Sequence, residues 1–192
     1  MKGYHYIKRG IDIILSGMAI VILSPLLLFL CIAIKLDTPG PILFKQKRVG
    51  IHRSFFQIYK FRTMRIDTPK DVPTHMLENP EQYITKVGKF LRKTSLDELP
   101  QIFNIFKGEM SIVGPRPALW NQDDLVAERE KYGANDVTPG LTGWAQINGR
   151  DELEIPDKAR LDGEYVKHLG PWMDLKCFLG TIGSVLMHDG VV

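Results

Sequence analysis

The chain opens on an apolar run, residues 13–34, that carries no charge and is interrupted near its middle by Ser24-Pro25. A run of this length suits a lipid environment, because about 20 apolar residues are needed to cross a bilayer core. Pro25 lacks an N–H and its ring clashes with the preceding helical turn, so the pattern predicts a break there. Ser24 is also pushed away from helical geometry by the proline that follows it.

Each half of this run is too short to cross a bilayer. As helices, residues 11–24 and 25–36 rise only about 18–21 Å, against a hydrocarbon core of about 30 Å. We therefore expect residues 1–36 to form a re-entrant hairpin, a helix, a break and a second helix that return to the face of entry. The Ser24 hydroxyl is a candidate partner for the backbone groups freed at the break. The alternative is a single kinked span.

Basic residues flank the run on both sides. They are Lys2, Lys8 and Arg9 before it, and Lys35, Lys45, Lys47 and Arg48 after it. Because basic residues favour the cytoplasmic side, this symmetry favours a hairpin with both ends in the cytoplasm. A cleaved signal peptide is not expected, since the run exceeds the usual apolar length of about 7–15 residues and no small-residue cleavage site follows it.

Residues 37–192 have the pattern of one small domain of the α+β class, mostly helical. Alternating residues predict short strands at 42–47, 55–64 and 110–113, the first two forming a small β-hairpin. Helical spacing predicts helices at 84–93, from Leu99 to a stop at Gly108, and at 122–132, with a glycine-rich loop at 139–149.

The tail after Pro171 is predicted to be an amphipathic helix. Its apolar stripe consists of Leu175, Phe178, Leu179, Ile182, Val185 and Leu186. Such a stripe usually faces a protein core. Trp172 and Lys176 at one end favour, by a small margin, a helix that lies in the membrane interface.

Charge is distributed unevenly along the chain. Residues 1–65 hold eleven basic and two acidic residues, whereas the remainder holds fourteen basic and twenty acidic ones. Anionic headgroups or phosphates are the natural partners of the basic part, and nucleic acid is not expected. The two cysteines, Cys31 and Cys177, and the scattered histidines form neither a metal-ligand spacing nor a disulfide framework, which indicates a reducing compartment.

Two adjacent carboxylates, Asp97 and Glu98, precede an amphipathic helix. Ser95 and Glu98 fit a capping box, and Asp97 could itself be the N-cap; on spacing alone these structural roles are favoured. A carboxylate at a helix start, held ionised by the dipole, is also a nucleophile toward phosphorus once a metal neutralises the phosphate. Since Mg²⁺ takes one or two carboxylates, the pair has the parts for an aspartyl-phosphate mechanism.

Cations near this pair in sequence could bind an anion. Lys60 and Arg62 share one face of a strand by two-residue alternation, and Arg92 closes the preceding helix. The alternative for the strand residues is a solvated edge. Arg116 stands between two prolines that rigidify the backbone and lower the entropy lost on holding an anion, which favours a functional role over the alternative of a surface turn with an exposed arginine.

Five motifs in order resemble one family, the small monotopic phosphoglycosyl transferases. These bacterial sugar transferases start glycan assembly on a polyprenyl carrier. The motifs are Ser24-Pro25, Lys60-Phe61-Arg62-Thr63-Met64, residues 95–101, residues 114–117, and the glycine-, amide- and arginine-bearing run 142–150. The resemblance covers nearly the whole chain and suggests the minimal catalytic unit, without the multi-span extension of larger relatives.

The resemblance implies a reaction and a site. Asp97 would attack the sugar-linked phosphate of a UDP-sugar and release UMP, and polyprenyl (undecaprenyl) phosphate would then take the phosphosugar from the enzyme. Glu98, with Asp97, would bind Mg²⁺. The residues implied at the substrates are Lys60, Arg62, Arg92 and Arg116 on the phosphates, and, more weakly, Gln101, Gln146, Asn148, Arg150 and Asp162.

The same resemblance implies a monotopic protein at the cytoplasmic face of the bacterial inner membrane, seated on an anionic phospholipid bilayer. It leaves the sugar, the carrier length and a homo-oligomeric state open. Two other functions fit the residues. One is a membrane phosphohydrolase that cleaves nucleotide-sugars with water, and the other is a non-catalytic scaffold whose basic part binds anionic lipid.

Overall fold

The computed structural model describes residues 2–68, 80–149 and 153–187 and confirms a mostly helical α+β fold with a small β-hairpin. The helices in these ranges are α1 Lys2–Asp37, α2 Lys86–Lys93, α3 Gln101–Lys107, α4 Asp123–Glu130, α5 Trp144–Ile147, α6 Ile155–Lys167 and α7 Pro171–Met187. The strands are β1 Leu43–Val49, β2 Phe55–Phe61, β3 Ser111–Val113 and β4 Gly140–Thr142.

Helix α1 continues through Ser24 and Pro25, so the predicted division into two helices is wrong. Pro25 offers no N–H to the carbonyl of Val21, and the Ser24 hydroxyl donates to that carbonyl instead, at 2.8 Å. The predicted role of Ser24 is thus confirmed, and it is the physical reason that the helix tolerates the proline. By length and composition α1 could cross a membrane, but a re-entrant path is not confirmed.

One face of α1 packs on the domain along most of the helix. Asp12 and Ser16 are buried in the first half, and Leu30 and Ile34 in the second. The opposite face exposes large apolar side chains, among them Ile14, Val21, Ile22, Leu28 and Phe29. The buried residues of the second half share a core cluster with Phe61, Leu91 and Ile102.

Both ends of α1 are bonded to the same domain. The Tyr4 hydroxyl and the Lys8 ammonium donate to one carboxylate oxygen of Asp174 in α7. At the other end, the Asp37 carboxylate accepts from the backbone N–H of Val87 in α2, at 3.0 Å. The helix therefore begins and ends against the folded domain.

Strands β1 and β2 form the predicted antiparallel hairpin, with Leu43 opposite Phe61 and Val49 opposite Phe55. The predicted stop of α3 is confirmed, because Gly108 follows the helix in the left-handed conformation with φ of 93°. Residues 139–149, expected as a loop, instead contain β4 and α5. Strand β4 pairs in parallel with β3, a distant partner that local spacing does not reveal. Helix α6 was not predicted.

Helix α7 exposes the apolar stripe that the sequence identified. Leu175, Phe178, Leu179 and Ile182 are exposed, as is Trp172, whereas Met173 and Cys177 face the core. The side chains of Val185 and Leu186 lie outside the described set. The stripe does not pack in the core of the described chain, as a helix at a membrane interface requires.

Candidate active site

Asp97 and Glu98 lie in a 3₁₀ turn, Leu96–Glu98, between α2 and α3. Ser95, just before the turn, is left-handed with φ of 55°, and its side chain makes no capping hydrogen bond. The capping-box prediction is wrong, because an N-cap residue needs an extended backbone. Asp97 is not the N-cap of α3 either, since that helix begins at Gln101 after Pro100.

Two cations converge on one oxygen of Glu98. Lys60 Nζ donates to Glu98 Oε1 at 2.7 Å, and Arg116 Nη2 donates to the same oxygen at 3.0 Å. Burial alone would raise the pKa of Glu98, but the charges of Arg116 and Lys60 and their hydrogen bonds outweigh it and hold the pKa well below its usual range. Glu98 is therefore an ionised carboxylate at any physiological pH.

Asp97 sits in a different electrostatic environment. Burial raises the pKa of Asp97 above its usual value, against the charges of Lys60 and Arg92, while the neighbouring charge of Glu98 adds to the rise. The expectation that the helix start holds this carboxylate ionised is thus offset by burial. A cation that binds beside Asp97 would stabilise its ionised form.

Arg92 reaches toward Asp97 from the last turn of α2. Its Nε donates to the Thr63 hydroxyl at 3.0 Å, and burial lowers its pKa while the charge of Asp97 opposes that shift. The carbonyl of Thr63 also accepts from the backbone N–H of Thr85, which precedes α2. The sequence analysis gave Thr63 no role, although it lies in the motif that begins at Lys60.

The Pro-Arg-Pro turn presents Arg116 to Glu98. Pro115 and Pro117 are buried, while the Arg116 side chain keeps 38% of its surface exposed. The Pro117 carbonyl accepts from Arg48 at the end of the hairpin, at 3.1 Å. The backbone on both sides of Arg116 is thus held in place. Arg116 can therefore donate to Glu98 while part of its side chain remains exposed.

Arg62 points away from this cluster, into the turn after α1. Its Nη1 donates to the Pro39 carbonyl at 2.9 Å and its Nη2 to the Thr38 carbonyl at 2.7 Å. The alternation that placed it on one face with Lys60 stops because β2 ends at Phe61. Its predicted phosphate role stays a prediction.

The amide residues implied by the resemblance divide between two places. Gln101 lies at the start of α3, only 1% exposed, and its Nε2 has no partner among the described residues. Gln146 donates to the Leu141 carbonyl at 3.2 Å, and Asn148 donates to the Trp144 carbonyl at 2.8 Å. These two amides stabilise the β4–α5 segment, and the substrate roles of all three remain predictions.

Asp162 is buried between helices rather than beside Glu98. Its Oδ2 accepts from Nε and Nη2 of Arg129, at 2.8 and 2.6 Å, which joins α6 to α4. Its substrate role also remains a prediction. Arg150 lies outside the described residues.

The two carboxylates fit a magnesium ion. Lys60 and Arg116 both donate to Oε1 of Glu98, so Oε2 takes neither cation, and Asp97 adjoins it in the turn. No cluster of three or more metal-ligating side chains occurs among the described residues. Mg²⁺ usually takes one or two carboxylates completed by phosphate oxygens and water, so Asp97 and Glu98 are the residues that would hold it.

The chain is similar to bacterial sugar transferases along nearly its whole length. The family described as bacterial sugar transferase matches residues 3–188. The UDP-glucose:undecaprenyl-phosphate glucose-1-phosphate transferase of Escherichia coli K12 is 40% identical over 189 residues, covering 92% of this chain and 39% of the relative. The undecaprenyl-phosphate galactose phosphotransferase of Salmonella typhimurium LT2 is 35% identical over 203 residues, covering 98% and 42%.

A third relative is of similar length. The uncharacterized sugar transferase EpsL of Bacillus subtilis 168 is 38% identical over 185 residues, covering 96% of this chain and 90% of the relative. The chain thus spans about two fifths of the first two relatives and nine tenths of EpsL. On the family match and these identities, the chain belongs to the bacterial sugar transferases.

Proposed function

We propose that this protein transfers a sugar-1-phosphate from a UDP-sugar to polyprenyl phosphate through a covalent intermediate on Asp97. The names of the relatives supply the substrate classes, a UDP-sugar donor and an undecaprenyl-phosphate acceptor. The observation that carries the proposal is the Asp97-Glu98 turn, in which two cations hold Glu98 ionised beside a second, half-buried carboxylate.

The reaction runs in two displacements at one phosphorus. A carboxylate oxygen of Asp97 forms a bond to the sugar-linked phosphorus, and the bond from that phosphorus to the bridging oxygen breaks, so that UMP leaves with the electron pair. An oxygen of polyprenyl phosphate then attacks the same phosphorus and frees Asp97. A covalent cycle of this kind lets one site meet a soluble donor and a lipid acceptor in turn.

The neighbouring side chains have separate tasks. Arg92 and Lys60 place positive charge near Asp97, which favours its reactive ionised form. Lys60 and Arg116 keep Glu98 charged, and the exposed side of Arg116 can contact a phosphate. Mg²⁺ bound by Glu98 and Asp97 would neutralise phosphate charge during attack.

The membrane part of the proposal rests on α1. Its outer face is apolar, its inner face packs on the domain, and both ends are tied to that domain. A helix that packs against its own domain on one side and is bonded to it at both ends favours a path that stays on the domain's side of the membrane. We therefore propose a monotopic arrangement on the cytoplasmic face of a bacterial membrane, with the apolar outer face of α1 in one leaflet and α7 at the interface.

Cysteine labelling tests this topology. Gly3→Cys and His52→Cys, each in a background with Cys31 and Cys177 replaced by alanine, are exposed to a membrane-impermeant maleimide in sealed vesicles. Both sites are exposed in the structure. Equal protection or equal labelling of the two supports the monotopic arrangement, whereas labelling from opposite sides overturns it.

The reaction is tested with the full chain in detergent, Mg²⁺ and a panel of UDP-sugars. We expect UMP release and a protein mass increase equal to a phosphosugar, and the loss of that mass when polyprenyl phosphate is added. UMP release that ignores the acceptor, with free sugar phosphate as product, would make the protein a hydrolase. If no UDP-sugar gives either UMP or an adduct, the remaining function is the non-catalytic scaffold that binds anionic lipid.

A further inference from the structure

Asn104, in the middle of α3, is fully buried, and both ends of its side-chain amide are hydrogen-bonded. Its Oδ1 accepts from the backbone N–H of Tyr59 at 3.0 Å. Its Nδ2 donates to the Gln57 carbonyl at 2.8 Å and to the Glu109 carboxylate at 2.7 Å. A side chain that satisfies so many polar groups at no exposure fixes the geometry of the elements it joins.

The bonds of Asn104 lie on the edge of β2 that faces away from β1. Within the part of the chain that the structure describes, β2 pairs with β1 on one side only, so the N–H of Tyr59 and the carbonyl of Gln57 need partners on the other. One amide supplies both an acceptor and a donor to this edge, as a neighbouring strand would. Helix α3 is thereby held in a single register along β2.

The next residue of β2 is Lys60, whose ammonium bonds Glu98 just before α3. The strand and the helix are therefore joined twice, at Asn104 through the backbone of Tyr59 and at Glu98 through the side chain of Lys60. We infer that Asn104 is a positioning residue, which seats β2 on α3 so that the Lys60 ammonium reaches the Glu98 carboxylate. This inference rests on the proposed function only in so far as Lys60 serves the reaction.

The matched control is Asn135, another buried asparagine. Its Nδ2 donates to the Val126 carbonyl at 2.9 Å and to the Glu130 carboxylate at 2.8 Å, next to α4. Asn104→Ala and Asn135→Ala both remove a bond to a backbone carbonyl and a bond to a glutamate carboxylate, and Asn104→Ala also removes the bond from the Tyr59 N–H. Both are expected to lower the melting temperature. Only Asn104→Ala should lower kcat/KM for UMP release, by about tenfold or more, because small misplacements of catalytic groups are costly.

A double-mutant cycle with Lys60→Met separates positioning from general loosening. If Asn104 acts through Lys60, then Asn104→Ala in the Lys60→Met background should change kcat/KM by less than about twofold. The same fold-loss in both backgrounds, or an equal loss in Asn135→Ala, would overturn the inference. Asn104→Asp keeps the size and the acceptor for Tyr59, and it takes the place of Asn104→Ala if that variant does not fold.

A second readout needs no turnover. In the full chain, acetylation of Lys60 by acetic anhydride, mapped by peptide mass spectrometry, should be several-fold faster in Asn104→Ala than in the wild type or Asn135→Ala. Unchanged labelling of Lys60 would overturn the positioning role. An inactive wild type would overturn the proposed function, and the labelling would still decide the role of Asn104.

Discussion

Lys60 Nζ lies 2.7 Å from Glu98 Oε1, an oxygen that Arg116 also contacts. A strand residue, a residue of a proline-fixed turn and a carboxylate before α3 thus meet at one atom. The concentration of positive charge on Oε1 makes Glu98 a permanent anion while Oε2 takes neither cation. This asymmetry suits a carboxylate that holds a metal rather than one that exchanges protons.

Asp97→Asn should abolish chemistry without unfolding the protein. The amide retains the size of the carboxylate but is no nucleophile, so UMP release should fall by about a thousandfold or more and the phosphosugar adduct should be absent. Intact-mass spectrometry and circular dichroism check the two halves of this expectation. Retained turnover would refute Asp97 as the nucleophile.

The same substitution should raise the melting temperature. The pKa of Asp97 is raised in the folded state, so the fold binds its proton more tightly than the unfolded chain does. The contribution of this group to stability is therefore greatest at low pH and falls as pH rises through the folded pKa. At neutral pH a melting curve of Asp97→Asn should lie above that of the wild type, and a lower value would contradict the burial of charge.

Glu98→Gln should act in the opposite direction. Its folded pKa is depressed, so its stabilisation is present above its unfolded value, about 4.5, and is lost as pH falls toward the folded pKa. At neutral pH the variant removes the negative charge that Lys60 and Arg116 share, and the melting temperature should drop. Its stability should also depend less on acid pH than that of the wild type.

Magnesium titration provides the functional counterpart for Glu98. UMP release by Glu98→Gln should be slower and should need more Mg²⁺ for half-maximal rate, because one carboxylate of the pair is lost. Chelation with EDTA should stop the wild type in the same assay. A metal titration identical to that of the wild type would remove Glu98 from the metal site.

Gly88→Ala should disturb the site through packing. A Cβ at Gly88 would lie 2.1 Å from the Thr63 carbonyl, so α2 would have to move away from the segment after β2 and carry Arg92 with it. We expect a lower melting temperature and slower UMP release. Gly183→Ala is the control, because nothing lies within 4 Å of that position in α7. Equal effects of the two substitutions would contradict the close packing of α2.

Stability should depend on how well the residue at position 95 tolerates the left-handed backbone conformation. The left-handed conformation of Ser95 costs about 1–2 kcal/mol for a residue with a Cβ, and more for a β-branched one. Melting temperatures should therefore rank Ser95→Gly above the wild type and Ser95→Val below it. UMP release should fall in Ser95→Val because the Asp97-Glu98 turn follows directly. The reverse ranking would mean that the left-handed turn is not maintained in solution.

Local patterns predicted what depends on neighbours in sequence. Alternation found β1 and β2, and helical spacing with Gly108 found α3 and its end. The motif that contains Asp97 and Glu98 identified the turn on which Lys60 and Arg116 converge. The sequence could not predict that Lys60 and Arg116 contact the same oxygen of Glu98, because that contact depends on how the hairpin packs over α3.

The predictions that were wrong share a physical cause. Each depends on a contact between residues distant in sequence, or on a contact that offsets a local penalty. The predicted break at Pro25 does not occur, because the Ser24 hydroxyl donates to the Val21 carbonyl, which the proline leaves without an N–H donor. The sequence identified Ser24 as a candidate partner but not that its bond would preserve the helix. Arg62 was placed by an alternation that ends one residue earlier. Asn104 carried no signal, because a single asparagine in a helical pattern does not reveal the strand edge that it bonds.

The burial of Leu30 and Ile34 among Phe61 and Leu91 has a practical consequence. One face of the apolar helix α1 forms part of the domain's hydrophobic core, while the other face is suited to lipid. Deletion of α1 would therefore expose the core to water. Removal of the N-terminal helix is therefore expected to destabilise the rest of the domain rather than release a soluble, folded fragment, because the two share one core.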